Sequence, residues 1–316
     1  MAKQRYRAYS EYLREKHGCK VYKLPVNLPV TCPNRDGQMG YGGCIFCGES
    51  GAGFETLPEQ MSVKAQLEKN MKYIGKRYAA QKFIAYFQNF SNTYMRPKWL
   101  EDYLYQANVP GIVEAYISTR PDCISKDHLK VADSFREKTG IEVTFELGLQ
   151  TVNYHTLAKL NRGHGLAEFI DGVLMVRGAG FGVCAHLILD LPWDNLEDAV
   201  ENAKVLSALG VGQAKLHSLY IVKGTVLARL YVEGSIRLVS MEEYARRAIA
   251  FLEHLNPDIV IQRLIGRAPE EETLTANWDT SWWKVKDYIE EQMAAMDTWQ
   301  GKRFDYLGGK AVRKFL

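Results

Sequence analysis

Cys32, Cys44 and Cys47 are the residues whose type and spacing most directly suggest chemistry: three thiols, with glycines at positions 37, 40, 42 and 43 between the first two. Soft thiolates suit zinc or an iron–sulfur cluster. A closed zinc site takes four ligands, commonly two C-x-x-C pairs or one pair with histidines, and only Cys44 and Cys47 form such a pair. Cys19 or His17 could supply a fourth ligand, but both precede the first expected strand. A cubane that only carries electrons is held by four thiolates; with three, one iron keeps a free coordination position. That open position favours a site where a small ligand binds and reacts. The spacer glycines let a loop fold tightly round a bulky group, Gly48, Gly51 and Gly53 let backbone approach a ligand closely, and Phe46 offers an apolar lid. Zinc, or a loop without metal, is the competing reading.

Something must position that loop. Strand-like runs rich in β-branched and aromatic residues occur at 21–26, 83–87, 112–118, 141–147, 183–189, 214–222 and 259–264, and amphipathic stretches fall at 62–80, 98–107, 126–138, 153–179, 195–209 and 239–255. Strands alternating with helices predict βαβ units and a parallel sheet. Six or seven units suit a full or partial barrel, whose chemistry sits at the C-terminal ends of the strands. The cysteine loop follows the first strand. Gln88, Asn89, Ser91 and Asn92 follow the second, and Ser118, Thr119, Arg120 and Asp122 the third. Glu146 and Gln150 bracket the end of the fourth. His186, Asp190 and Asp194 belong to the fifth, and Lys215, His217 and Lys223 to the sixth. Each could be a turn former alone; their convergence on one mouth makes them candidates. Neither G-x-G-x-x-G nor G-x-x-x-x-G-K-[ST] occurs, so the usual dinucleotide and P-loop readings lack support.

The chain reads as one barrel over residues 1–265, with an N-terminal basic helix at 5–17, and a C-terminal helical appendage over 266–316 packed on it. Trp282, Trp283 and Tyr288 are expected to pack the appendage rather than stack bases. Cys123 and Cys184 read as core residues. With 47% apolar and 24% charged residues the composition is that of a soluble protein. No apolar run approaches the ~18 residues of a membrane span. The N-terminus lacks the hydrophobic core of a signal peptide, so a cytoplasmic location without membrane contact is expected. Net charge is +3, but residues 1–23 carry seven Lys/Arg against two Glu, and residues 302–316 five against one Asp. Basic ends on an acidic body suit a phosphate-rich partner, or are simply solvated.

The cysteine loop, C-x11-C-x2-C with Phe46 before the last cysteine, resembles the radical S-adenosylmethionine (SAM) superfamily, whose commonest spacing is C-x3-C-x2-C. The longer spacer is similar to that of the Elongator-catalytic-subunit-like branch and of the YhcC/YtqA (MnmL) type. The likeness continues in ISTRPDC (117–123), FELGLQTVNYHTLAKLNRGHG (145–165), HLILDLPWD (186–194), LYIVKGT (219–225) and DTWQGKR (297–303). It implies an α/β fold, a partial (β/α)6 TIM-like barrel. It also implies a [4Fe–4S] cluster on Cys32, Cys44 and Cys47, whose fourth iron is chelated by SAM, and reductive cleavage of SAM to a 5′-deoxyadenosyl radical. Gln88, Asn89 and Ser91 stand where the family holds the SAM amino group, without its usual glycines. Ser118 and Arg120 become candidates for the SAM carboxylate, Glu146 and Gln150 for the ribose hydroxyls, and Ile188 for the adenine. DLPWD departs from the more usual GLPGE at Asp190 and Trp193. Lys215, His217 and Lys223 face SAM or substrate.

The resemblance further implies action on the wobble uridine of tRNA, remodelling a 5-carboxymethylaminomethyl group to aminomethyl. It implies flavodoxin or ferredoxin as electron donor, and Arg120 or Arg162 to meet a substrate carboxylate. An Elongator-type acetyltransferase domain is missing, which disfavours carboxymethylation from acetyl-CoA. Two alternatives stand beside this: a radical SAM enzyme on a small metabolite, and a non-catalytic zinc- and RNA-binding protein.

Overall fold

The computed structural model describes residues 4–49, 51, 56–268 and 271–315. In chain order the elements are α1 (Tyr9–His17), β1 (Val21–Val26), α2 (Val63–Tyr78), β2 (Lys82–Phe87), α3 (Pro97–Gln106), β3 (Ile112–Thr119), α4 (Lys126–Thr139), β4 (Glu142–Gln150), α5 (Tyr154–Lys159), α6 (Leu166–Gly178), β5 (Gly182–Ile188), α7 (Leu196–Ala208), β6 (Gln213–His217), β7 (Ile221–Val222), α8 (Val226–Val232), α9 (Met241–His254), β8 (Val260–Arg263), β9 (Thr273–Thr275) and α10 (Trp282–Ala295). Seven strands form one parallel sheet in the order β1-β2-β3-β4-β5-β6-β8, curled into the expected partial barrel. All seven strand-like runs of the sequence are present.

Alternation along each strand separates two environments, as a pleated strand must. On β3, Ala115 and Ile117 belong to the apolar core against the helices. Glu114, Tyr116 and Ser118 turn inward and are buried among polar partners. Six of the helices begin on side-chain caps: Ser62, Ser125, Asn153, Asn195, Thr225 and Ser240 each accept a backbone N–H, satisfying donors that the first turn leaves open.

Three expectations need correction. The run at 214–222 is two strands: β6 ends at His217, and β7 pairs antiparallel with β9 instead of extending the main sheet. The break is enforced from outside, because Leu219 N–H donates to Asp190 Oδ1 at 2.7 Å and Ser218 Oγ to Asn277 Oδ1 at 2.6 Å. The helix at 153–179 is two, α5 and α6, interrupted by Asn161 at φ 52° and Gly163 at φ 73°. The N-terminal helix starts at Tyr9 rather than at residue 5. Before it Tyr6 lies in a bend, and Ala8 makes a parallel bridge to Ile261 of β8.

That last feature matters for the site. β1 and β8 are the two edges of the sheet and do not pair. Across the gap, Ile261 N–H donates to Arg7 O at 2.9 Å, and Leu13 and Tyr9 pack against Val21 and Tyr116. The C-terminal segment holds this closure in place: Arg7 N–H donates to Gln300 Oε1 at 3.0 Å, Arg5 pairs with Asp297 at 2.7 Å, and Tyr6 OH meets Glu290 at 2.7 Å. In α10, Val285, Ile289 and Met293 are buried and Tyr288 packs on the core, whereas Trp282 and Trp283 stay 43% and 49% exposed. The packing expected of all three aromatics therefore holds for Tyr288 only.

Candidate active site

A cavity of about 850 Å³ opens at the C-terminal ends of the strands and runs into the barrel. The cysteine loop forms one wall. Its path is set by backbone bonds to the turn after α5: Ile45 N–H to Leu160 O at 3.0 Å, Asn161 Nδ2 to Gly43 O at 2.9 Å, and Asn34 Nδ2 to Asn161 O at 2.5 Å. A Cβ on Gly40 would stand 2.5 Å from Asn34 Oδ1, so the spacer has to be bare there. Gly53 lies outside the described residues.

Cys32, Cys44 and Cys47 all line the cavity. Two of the sulfurs face N–H donors: Arg162 Nη1 is 3.4 Å from Cys44 Sγ, Asn34 Nδ2 3.8 Å from the same sulfur, and Arg120 Nη1 4.0 Å from Cys32 Sγ, while Cys47 Sγ lies 3.7 Å from Gly48 O. Burial pushes the Cys47 thiol up, and Arg35 and Arg162 pull it back. The set fits a cluster better than a single ion. At about 2.3 Å per Zn–S bond, tetrahedral zinc would hold its sulfurs about 3.8 Å apart. Among the described residues the one group of three or more potential ligands within 4.8 Å of one another is Glu146, Cys184 and His186, so at least one pair of the loop sulfurs is wider than that. A cubane spreads its thiolates over separate irons, and hydrogen bonds to its sulfurs tune it. Neither suggested fourth ligand is near: His17 Nε2 bonds Glu114 at 2.6 Å, and Cys19 packs in an apolar cluster at the barrel edge. The site is thus three thiols in an electropositive cradle.

The next layer is built from strand interiors. Glu146 accepts from Lys23, from Lys215 at 3.1 Å, from Gln262 at 3.0 Å and from His186 at 2.7 Å. Burial works against its carboxylate, but Lys215, Lys23 and His186 hold it well below the ordinary range. Burial pulls the Lys215 ammonium down to about 7, with Glu146 opposing, and lowers His186 to about 4. Two ammonium groups already neutralise this carboxylate, so a metal ion at Glu146, Cys184 and His186 would have to displace them. Cys184 is fully buried; Cys123 is half-buried beside Asp122, its thiol pushed up by burial to about 11.

The candidate residues divide between the wall and what supports it. On the wall are Phe46, Gln88, Ser118, Arg120, Glu146, Gln150, Lys215 and His217. Behind it, Ser91 Oγ bonds Thr119 Oγ1 at 2.9 Å and accepts the Arg120 N–H, and Asn89 Nδ2 donates to Asn27 Oδ1 at 3.1 Å. Ile188 sits in the small apolar cluster against which Phe46 packs. Lys223 is exposed, and its Nζ donates to Glu271 O at 2.8 Å. Arg120 gives Nε and Nη2 to Asp122 and Nη1 to Arg162 O; burial opposes the Asp122 carboxylate and the pair overcomes it, keeping it below its usual range. In DLPWD, Asp190 staples the end of β5 to Leu219, and Trp193 packs in the cluster of Phe46, with Lys159 over its ring at 5.4 Å. Sequence reasoning missed Lys23 and Arg263, both on the wall. Their signal was a charged residue inside a strand, in VYKLPV and VIQR, where the sheet has helices on its outer face.

Arg162 is a positioning residue here, and Gly148 makes its place: a Cβ there would stand 2.6 Å from Arg162 Nη2. Arg162→Gln is expected to weaken cluster retention by roughly 10–100-fold, the usual cost of an outer-shell partner, with Gly148→Ala shifted in the same direction. Chelator-driven iron release under anaerobic conditions measures this; release as slow as in the unaltered protein would remove the assignment.

These features are those of a [4Fe–4S] protein that activates a small molecule at an open iron. The chain belongs to the radical SAM superfamily: that family's profile matches residues 27–206, and the Radical SAM C-terminal domain matches residues 211–295. Its cofactors are accordingly a [4Fe–4S] cluster and SAM. YtqA of Bacillus subtilis is 33% identical over 309 residues, covering 96% of this chain and 94% of that protein. YhcC of Escherichia coli is 32% identical over 272 residues, 86% of each. The fold is shared with the archaeal Methanocaldococcus infernus Elp3, at a TM-score of 0.67 and 15% identity, over 89% of this chain and 64% of that one. No helix among the described residues is long and apolar enough to cross a membrane.

Proposed function

We propose that this radical SAM enzyme acts on tRNA, converting a 5-carboxymethylaminomethyluridine-type wobble base to a 5-aminomethyluridine-type base. The observation that carries the RNA reading is the basic N-terminal stretch beside the cavity, which the C-terminal segment holds in place; residues 302–316 do not line that cavity. Arg5, Tyr6 and Arg7 are bonded to Glu290, Asp297 and Gln300, so segments far apart in sequence make one surface beside the cavity. Its rim includes Tyr6, Arg14, Lys20, Arg267, Trp282 and Lys286. Basic groups with half-exposed aromatics suit a nucleic-acid backbone with splayed bases. A base worked on inside a barrel has to be flipped into it.

The cluster and SAM, when bound, supply a 5′-deoxyadenosyl radical as hydrogen-abstracting agent. The chain's own residues bind and shield. Cys32, Cys44 and Cys47 hold the cluster, Gln88 and Ser118 offer polar contacts to the SAM methionyl end, and Gln150 to its ribose. Arg120, spent on Asp122 and Arg162 O, contributes a positive wall rather than a free fork. Phe46 and the Ile188 cluster exclude water from the adenine side. Asn89 and Ser91 brace this wall, and Lys223 lies outside it. The electron donor is a flavodoxin or ferredoxin.

Nucleoside mass spectrometry of tRNA from a deletion strain tests the reading. The 5-carboxymethylaminomethyl form is expected to accumulate, and an unchanged wobble profile would count against it. In vitro, tRNA is expected to stimulate 5′-deoxyadenosine release, with the stimulation fading as salt rises. Release indifferent to tRNA would favour a small-molecule substrate.

A further inference from the structure

The cofactor assignments leave over a second polar region of the same cavity, on the side of β6 and β8. Lys215 and His217 project into it from β6 and Arg263 from β8. Arg263 Nη2 lies 2.7 Å from His217 Nδ1. Its Nε is buried with no hydrogen-bond partner, and none of its partners among the described residues is a carboxylate. The other cations are no better supplied: Lys23 and Lys215 share the single carboxylate of Glu146. Three strand-borne cations therefore face one anion in an enclosed space, where unmatched charge is costly. A guanidinium that ends on an imidazole, with a nitrogen left over, is arranged to receive an anion. Tyr220, Arg263 and the three cysteines line one continuous cavity, so this region opens onto the cysteine loop.

We propose that Arg263, with Lys215 and His217, binds a carboxylate of the substrate at the β6–β8 side of the cavity. A carboxylate brings one negative charge and a planar pair of oxygens that match a guanidinium edge. A phosphodiester would have to carry its backbone into the barrel along with it. Arg120 and Arg162, the sequence candidates for this task, are engaged by Asp122 and by the cysteine loop, whereas the side-chain partner of Arg263 among the described residues is the neutral ring of His217. The proposal rests on the reading above for which carboxylate it is: that of the carboxymethylaminomethyl arm. Arg263 would then select substrates that still carry the acid.

Sarcosine reproduces that arm's amine and carboxylate, and sarcosinamide keeps the amine but carries a neutral amide in place of the carboxylate. Isothermal titration of both into the full chain, anaerobically reconstituted and supplied with SAM, provides the test. Sarcosine is expected to bind at least about tenfold tighter than sarcosinamide, as a charge-assisted bond allows. Arg263→Gln is expected to remove the preference and Arg263→Lys to restore part of it. Equal binding of the two ligands, no binding of sarcosine, or an Arg263→Gln protein that binds like the unaltered one overturns the site. Should Arg263→Gln fail to fold, the comparison of ligands on the unaltered protein decides. A preference lost in Arg263→Gln, with 5′-deoxyadenosine release indifferent to tRNA, supports the site and removes the tRNA reading. Release stimulated by tRNA to the same extent, and at the same KM, in Arg263→Gln removes the site and leaves that reading standing.

Discussion

Cys47→Ala is expected to yield a folded protein that no longer retains a cluster and no longer cleaves SAM. Cys47 is only half-buried, and its sulfur lies 3.7 Å from the Gly48 carbonyl oxygen. With three thiols present, losing one leaves two, and a cubane held by two has a second exposed iron. The loss should exceed the roughly 10–100-fold expected for Arg162→Gln, because a direct ligand is removed rather than its orienting partner. Iron and sulfide content, the visible absorption of the reconstituted protein, and 5′-deoxyadenosine release are the measurements. Cluster content and release near those of the unaltered protein would mean that the thiols serve something else. Zinc retained in place of iron after anaerobic purification would point to the structural-metal alternative.

Glu146→Gln should be the most damaging single change away from the cysteine loop, and its effect is on stability. The carboxylate is fully buried and, among the described residues, is the one anion bonded to Lys23 and Lys215. Removing one partner of a buried charge set leaves the others uncompensated, at a cost of about 3–5 kcal/mol. In a chain of this size that lowers Tm by on the order of 10 °C. The pH dependence has a definite sign. Glu146 titrates in the folded protein well below its ordinary value of 4.5. Its stabilisation is therefore fully present above that value and is lost as pH falls through the folded pKa. The Tm gap between the unaltered protein and Glu146→Gln should be widest near neutrality and shrink in acid. A gap that is absent, or that grows as pH falls, would contradict the network drawn here.

Much of this was legible in the sequence because the signals were local. The seven strand runs announced themselves by β-branched residues, and Cys44-x-x-Cys47 by spacing alone. Several polar strand ends reached the cavity wall because a parallel barrel puts them there regardless of detail. What could not be read depended on partners distant in sequence. HSLYIVKG has uniform β propensity, and only Asp190 and Asn277, from other parts of the chain, break it into two strands. Ser91 looks like a ligand but braces the turn, because Thr119 claims its hydroxyl, while Asn89 gives Nδ2 to Asn27 and keeps a buried Oδ1 without a partner. Lys23 passed as a surface lysine of a basic terminus, although it points inward onto Glu146 and across the Tyr116 ring at 4.0 Å. In DLPWD, the role of Asp190 depends on a distant partner too: its Oδ1 accepts the Leu219 N–H and ties the chain after β5 to the chain after β6.

The clasp across the open edge of the barrel has a temporal meaning. Gln300 side-chain Nε2 reaches Asn256 O and Ile259 O while its Oε1 holds Arg7, so the first strand-like residues are secured by some of the last. Contacts spanning nearly the whole chain are slow to form, since a long loop has to close first. During synthesis the β1 edge therefore emerges early and waits, with Lys23, Tyr86 and the cysteine loop open to the side, until the segment around Gln300 arrives. The last-made segment thus decides when the open edge of the barrel is closed.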